Sequence, residues 1–129
     1  MIYLDNAATT MLDDRVYDAM VPWLNCGNPG SPHSHGRSAA AAIKTARKQV
    51  AVRIGAKPEQ IIFTSGGTEA NALAILGSAE YLKSIGKTHI ITTEIEHKSI
   101  HKVMKMLIKH GFDITYLPVD QDGLINLDI

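Results

Sequence analysis

Cysteine is nearly absent from this 129-residue chain. Cys26 stands alone, which rules out an internal disulfide and agrees with a reducing compartment. Net charge is missing too: thirteen Lys and Arg offset thirteen Asp and Glu, leaving no overall field to draw in nucleic acid or an anionic membrane. No apolar run approaches the roughly 20 residues needed to span a bilayer. The start, Met1-Ile2-Tyr3-Leu4-Asp5-Asn6, has no basic region followed by an apolar one. The expectation is a cytoplasmic protein with neither nucleic acid nor membrane as a partner. Internal repeats and low-complexity tracts are lacking as well. What is present, 45% hydrophobic and 20% charged residues over the length of one ordinary domain, suits a soluble globular α/β protein.

Along the chain, residues 4–10 are small and polar and read as a loop or arm. The acidic pair Asp13-Asp14 suits a helix start. Val16, Ala19, Met20, Trp23 and Leu24 recur at helical spacing, and Pro22 should kink or close that helix. Residues 25–36, dense in Gly, Pro, Ser and His, read as an ordered loop. From Arg37 the pattern Ala39, Ile43, Ala46, Val50, Ile54 predicts a long, close-packing helix capped by Gly55. Ile61-Ile62-Phe63-Thr64 reads as a first buried strand and His89-Ile90-Ile91-Thr92-Thr93 as a second, with residues 114–119 as a third. Between them lie two helical stripes, Leu73, Leu76, Ala79, Leu82 closed near Gly86, and Ile100, Val103, Met104, Leu107, Ile108 ended by Gly111. Strand, helix, strand, helix, strand predicts a largely parallel sheet with helices on its faces. Asp120-Gln121-Asp122-Gly123 marks a turn, and residues 127–129 do not resemble a finished last element.

Chemistry concentrates at Phe63-Thr64-Ser65-Gly66-Gly67-Thr68-Glu69-Ala70-Asn71, where a strand runs through two glycines into a helix. Such a turn brings backbone N–H groups close to a ligand at the positive end of a helix, which makes it an anion site; Thr68 adds a hydroxyl donor. A plain tight turn is the competing reading. The spacing fits neither G-x-x-x-x-G-K-[ST] nor G-x-G-x-x-G, so a nucleotide is not the favoured anion. His97 follows the second strand; an imidazole at a strand's carboxyl end can lie flat on an aromatic ring and exchange protons near neutral pH, or simply cap the next helix. His97 and His101 stand four apart, but Lys98 occupies the place where a zinc-protease motif needs glutamate. No metal is expected.

The glycine loop shares the chain with Tyr3-Leu4-Asp5-Asn6-Ala7-Ala8-Thr9-Thr10, Gly27-Asn28-Pro29-Gly30-Ser31-Pro32-His33, Gly36-Arg37 and Glu96-His97-Lys98-Ser99. Together these resemble the amino-terminal third of the NifS- and IscS-like cysteine desulfurases, within the class V aminotransferase family of fold-type I enzymes dependent on pyridoxal 5'-phosphate (PLP). The resemblance implies that residues 1–129 are the amino-terminal part of the large PLP-binding domain, with 1–30 an arm and helix. It puts Gly67 and Thr68 on the cofactor phosphate, and His97 over the pyridine ring as a catalytic group. Asn6 and Ala7 then approach the substrate side, and Arg37 supports the loop near the active-site entrance. Gly30 departs from the serine more usual in the family. Cys26 lies far from where the family places its sulfur-accepting nucleophile.

The implied reaction takes L-cysteine to L-alanine and leaves a persulfide for iron–sulfur cluster or thiolation pathways. The implied partners are a second copy or a complementary carboxy-terminal chain, and a sulfur acceptor or iron–sulfur scaffold protein. In the family the lysine that holds the PLP aldehyde, the acid facing the pyridine nitrogen and the mobile cysteine all come later than the residues present here. The 129 residues alone are therefore expected to be inactive. Selenocysteine lyases and class V aminotransferases share the early motifs, and a split PLP-binding module acting with a partner chain is the alternative.

Overall fold

The computed structural model describes residues 2–126, so the chain end at 127–129 lies outside the described residues. The chain divides into two compact units, Met1–Ile62 and Phe63–Ile129.

In the first unit the arm is pinned locally: the Tyr3 hydroxyl donates to the Asp5 and Thr9 carbonyls at 2.7 and 3.2 Å, and the Ala8 amide donates to the Asp5 carbonyl at 3.1 Å. Helix α1, Asp14–Met20, starts where the acidic pair predicts. Asp13 is its N-cap and accepts from the Arg15 amide at 2.9 Å. Pro22 closes α1 into a short 3₁₀ turn, Val21–Trp23. The apolar stripe of α1 stays exposed. Helix α2, Ser34–Ile54, begins three residues before the expected Arg37. The reason is an unusual N-cap: the His33 Nδ1 accepts from the Gly36 amide at 3.4 Å. Gly36 is therefore in the first turn, and a Cβ on it would come within 2.2 Å of the Ser31 carbonyl oxygen. Gly55 ends α2 in the left-handed region at φ 67°. Ala39 and Ala51 are buried, as an alanine-lined face implies, but Ile43, Val50 and Ile54 remain exposed. The Arg47 guanidinium donates to the Ile61 carbonyl, tying α2 to the buried Ile61.

The second unit holds α3, Gly67–Ser84; β1, His89–Thr93; α4, Lys98–Lys109; and β2, Asp113–Leu117. Strands β1 and β2 pair in parallel, His89 opposite Asp113 through Thr93 opposite Leu117. The expected first strand, residues 61–64, is not part of this sheet, which has two strands. The segment leaves Ile61 in extended backbone (φ −94°, ψ 124°), but a strand needs a ladder as well as β-branched residues. The third expected strand stops at Leu117, and Val119 instead bridges antiparallel to Ile125 across the Asp120–Gly123 turn. Ala79, Val103, Leu107 and Phe112 form the core between α3, α4 and the sheet, flanked by Ala72, Ile75, Leu76, Ile90 and Ile114. Burying a Val, Leu or Phe side chain contributes about 1.5–3 kcal/mol each. This is what holds the amino-terminal turns of α3 and α4 in place. Among the described residues no helix is long and apolar enough to cross a membrane.

Candidate anion-binding site

Helix α3 opens without a side-chain cap. Gly66 is the N-cap, and its carbonyl accepts the first helical bond from the Ala70 amide at 3.0 Å. The amides of the first turn, Gly67, Thr68 and Glu69, belong to the set that a helix cannot satisfy internally, and they point outward with the helix dipole behind them. Gly66 adopts extended backbone (φ 160°) that any residue tolerates, and a Cβ built on Gly66 or Gly67 meets nothing within 4 Å. Neither turn geometry nor packing within the described chain requires glycine here. Its absence of side chain keeps the space in front of the amides open.

Two hydrogen bonds shape the approach to that space. Glu69 turns back so that its Oε2 accepts from the Ser65 hydroxyl at 2.6 Å and from the Ser65 amide at 2.7 Å. These bonds, the hydroxyl's first, hold the Glu69 carboxyl below the usual glutamate range. The Thr64 hydroxyl donates to the Gly66 carbonyl at 3.2 Å. Sequence reading placed Glu69 in the motif but missed its bond to Ser65; an acidic residue in a helix's first turn is the available signal.

His97 is the N-cap of α4, and its Nδ1 accepts from the Ser99 amide at 3.2 Å. The same nitrogen lies 2.8 Å from the Ser99 hydroxyl, which in turn receives the Asn71 side-chain amide at 3.0 Å. Asn71 sits one turn into α3, so this chain joins the start of α3 to the start of α4. The capping role considered for His97 thus exists, and it uses Nδ1 only. Asn71 and Ser99 were not singled out from the sequence, because 28 residues separate them and no local pattern links the pair.

The other expected site residues have their own local surroundings. Asn6 and Ala7 occupy the exposed turn of the arm in the first unit. Arg37 donates to the Pro32 carbonyl, which supports the loop preceding α2. In that loop the Asn28 Oδ1 accepts from the Gly30 amide at 2.8 Å, closing a local turn. Cys26 is exposed. His101 stacks on Tyr116, ring centroids 5.8 Å apart. Among the described residues no group of three or more His, Cys, Asp or Glu is arranged to hold a metal ion.

The model of one protein family, aminotransferase class V, matches residues 2–129. The chain belongs to that family. Cysteine desulfurase IscS of Dictyoglomus turgidum is 51% identical over 129 residues, covering 98% of this chain and 32% of that protein. The human cysteine desulfurase is 50% identical over 129 residues, covering 98% of this chain and 28% of that protein. Among solved structures, a NifS-like protein superposes with a TM-score of 0.85 at 40% identity, over 95% of this chain and 34% of that one. SspA in complex with cysteine gives 0.85 at 40% identity, over 96% and 36%. The chain spans about a third of the length of the curated relatives it matches. Its architecture is that of a partial class V aminotransferase large domain: α/β, with a parallel pair of strands and flanking helices. The class V family and its cysteine desulfurases depend on PLP. The residues present fit the phosphate of that group, since α3 offers first-turn amides without helical partners, a hydroxyl on Thr68 and open space beside Gly66 and Gly67.

Proposed function

We propose that these residues form the phosphate grip and the ring-facing histidine of a PLP-dependent cysteine desulfurase acting on L-cysteine. One observation carries the reading: the uncapped, glycine-opened start of α3 is tied through Asn71 and Ser99 to His97 at the start of α4. In this reading the amides of Gly67 and Thr68 and the Thr68 hydroxyl hold the cofactor phosphate, and the helix dipole adds attraction for its charge. His97 lies over the pyridine ring as the catalytic group of this segment. Bound PLP would supply an electron sink for breaking the bond between the substrate's Cβ and its sulfur, with the carbon skeleton left intact. This chain's contribution is to bind and orient it.

L-cysteine is supported by identity of about 50% to cysteine desulfurases and by the likeness to SspA, which was solved with cysteine. The products are then L-alanine and a protein persulfide, passed to a sulfur acceptor or iron–sulfur scaffold in the cytoplasm. By family motif, the lysine and cysteine for those steps are not among these 129 residues. Exposed apolar residues such as Ile62 and Ile91, 64% and 61% accessible, support association with a second copy or a complementary chain.

Titration with inorganic phosphate, followed by backbone amide shifts, tests the grip. Residues 65–70 should shift with roughly millimolar affinity, about 4 kcal/mol. Thr68→Ala should weaken binding by about 1.5–3 kcal/mol, the worth of a hydrogen bond to a charged group. His97→Ala should weaken PLP but hardly affect phosphate. Shifts that miss residues 65–70 altogether would sink the assignment.

A further inference from the structure

The chain from Asn71 through Ser99 to His97 has a direction, and one bond in it fixes that direction. A backbone amide only donates. The Ser99 amide points at His97 Nδ1 at 3.2 Å, so Nδ1 must offer its lone pair there and carries no proton. The Ser99 hydroxyl, 2.8 Å from the same nitrogen, can then only donate to it. That leaves the Ser99 Oγ with lone pairs alone, and the Asn71 side chain meets it at 3.0 Å with its NH₂ group. Orientations that are otherwise a matter of assignment for Asn amides, hydroxyls and imidazoles follow here from a donor that cannot flip. Ser99 is 4% accessible, and it is the buried polar residue among those described. At such a site a misdirected hydroxyl is costly, and the satisfied network has one low-energy polarity.

We infer that Asn71 and Ser99 are positioning residues that hold His97 as the neutral Nε2–H tautomer, with its ring orientation set by two donors on Nδ1. Resting on the site reading above, His97 then presents an N–H donor, not a lone pair, on the side away from the helix start. A proton added at Nδ1 displaces both the hydroxyl and the amide. The imidazole therefore meets ligand or substrate atoms through Nε2, and it favours an acceptor there, such as a carboxylate, phenolate or amino lone pair.

The test needs no cofactor. Imidazole ¹H–¹⁵N correlation spectra of the full chain, recorded where His97 is neutral, should show Nε2 protonated and Nδ1 as a bare nitrogen. Ser99→Ala removes one donor and should raise the Nδ1–H share of the tautomer equilibrium roughly fivefold, the ratio expected for one neutral hydrogen bond. Asn71→Asp keeps the side-chain shape but replaces a donor by an acceptor. The Ser99 hydroxyl should then turn toward the carboxylate, and the His97 spectrum should move in the same direction, a response that loss of packing alone does not give. A wild-type spectrum with Nδ1 protonated or with mixed tautomers overturns the inference even if neither variant folds. So does an unchanged His97 signal in either variant whose backbone amides remain native. Because no phosphate or PLP is present, a failed relay leaves the phosphate titration standing, and a flat phosphate titration leaves the tautomer standing.

Discussion

Gly67→Ala should make the chain more stable and a worse anion binder, and the opposite signs are the point of the experiment. Glycine is costly in a helix, by roughly 1 kcal/mol relative to alanine in the interior, and it leaves the unfolded chain more freedom. Gly67 is the first residue of α3 and is not among the glycines with positive φ, and an added Cβ meets no atom within 4 Å. Nothing in the folded chain therefore opposes the methyl, and stabilisation by about 0.4–1 kcal/mol is expected. In the proposed site the same methyl would crowd an anion held at the α3 amides. Loss of close approach should weaken phosphate binding by at least about tenfold, or about 1.4 kcal/mol. Urea unfolding of wild type and variant gives the first quantity, and phosphate titration by amide shifts gives the second. A destabilised variant would mean that the glycine serves the backbone. A stabilised variant that binds phosphate normally would mean that the open space is not kept for an anion.

Gly36→Ala should behave in the opposite way, costing about 1–3 kcal/mol in urea unfolding, because its Cβ would press on the Ser31 and Asn28 carbonyl oxygens at 2.2 and 2.7 Å. Leu107→Ala, at a 4% accessible core position, should cost about 2–5 kcal/mol by the same measurement. Glu69 has its carboxyl held below the usual range by Ser65. Its contribution to stability is therefore present above the ordinary glutamate pKa and is lost as pH falls through the lowered value. Side-chain carboxyl shifts should show Glu69 titrating at lower pH in wild type than in Ser65→Ala; identical curves would refute the bond.

The helices were legible because their causes are local. Asp13 announces α1, Gly55 stops α2, and the stripe Val103, Met104, Leu107 that the sequence places on one face of α4 is buried as a stripe. The start of α2 was missed by three residues because His33 caps through a ring nitrogen, outside the usual Ser, Thr, Asp and Asn set. Residues 61–64 have the composition of a strand, yet pairing is a property of two segments, and composition reports only one of them. The glycine loop was legible as the opening of a helix, since that geometry follows from contiguous residues. The bond from Asn71 to Ser99 was not, because it depends on how α3 and α4 pack.

The ends of α3 and α4 act together as a spacing device. Gly55, Gly86 and Gly111 take positive φ of 67°, 80° and 83° just beyond α2, α3 and α4, so each helix stops at a chemically fixed residue instead of fraying to a variable length. After Gly86 the chain has two residues before β1, and after Gly111 it has one before β2, where the Asp113 amide meets the Thr88 carbonyl at 3.0 Å and starts the pairing. Gly86 and Gly111 thus meter the chain into the sheet. One residue inserted between Gly111 and Asp113 would push β2 out of step with β1 and turn Ile114 away from the core beside Ile90, exchanging the faces of the whole strand. The connections can vary in composition far more readily than in length.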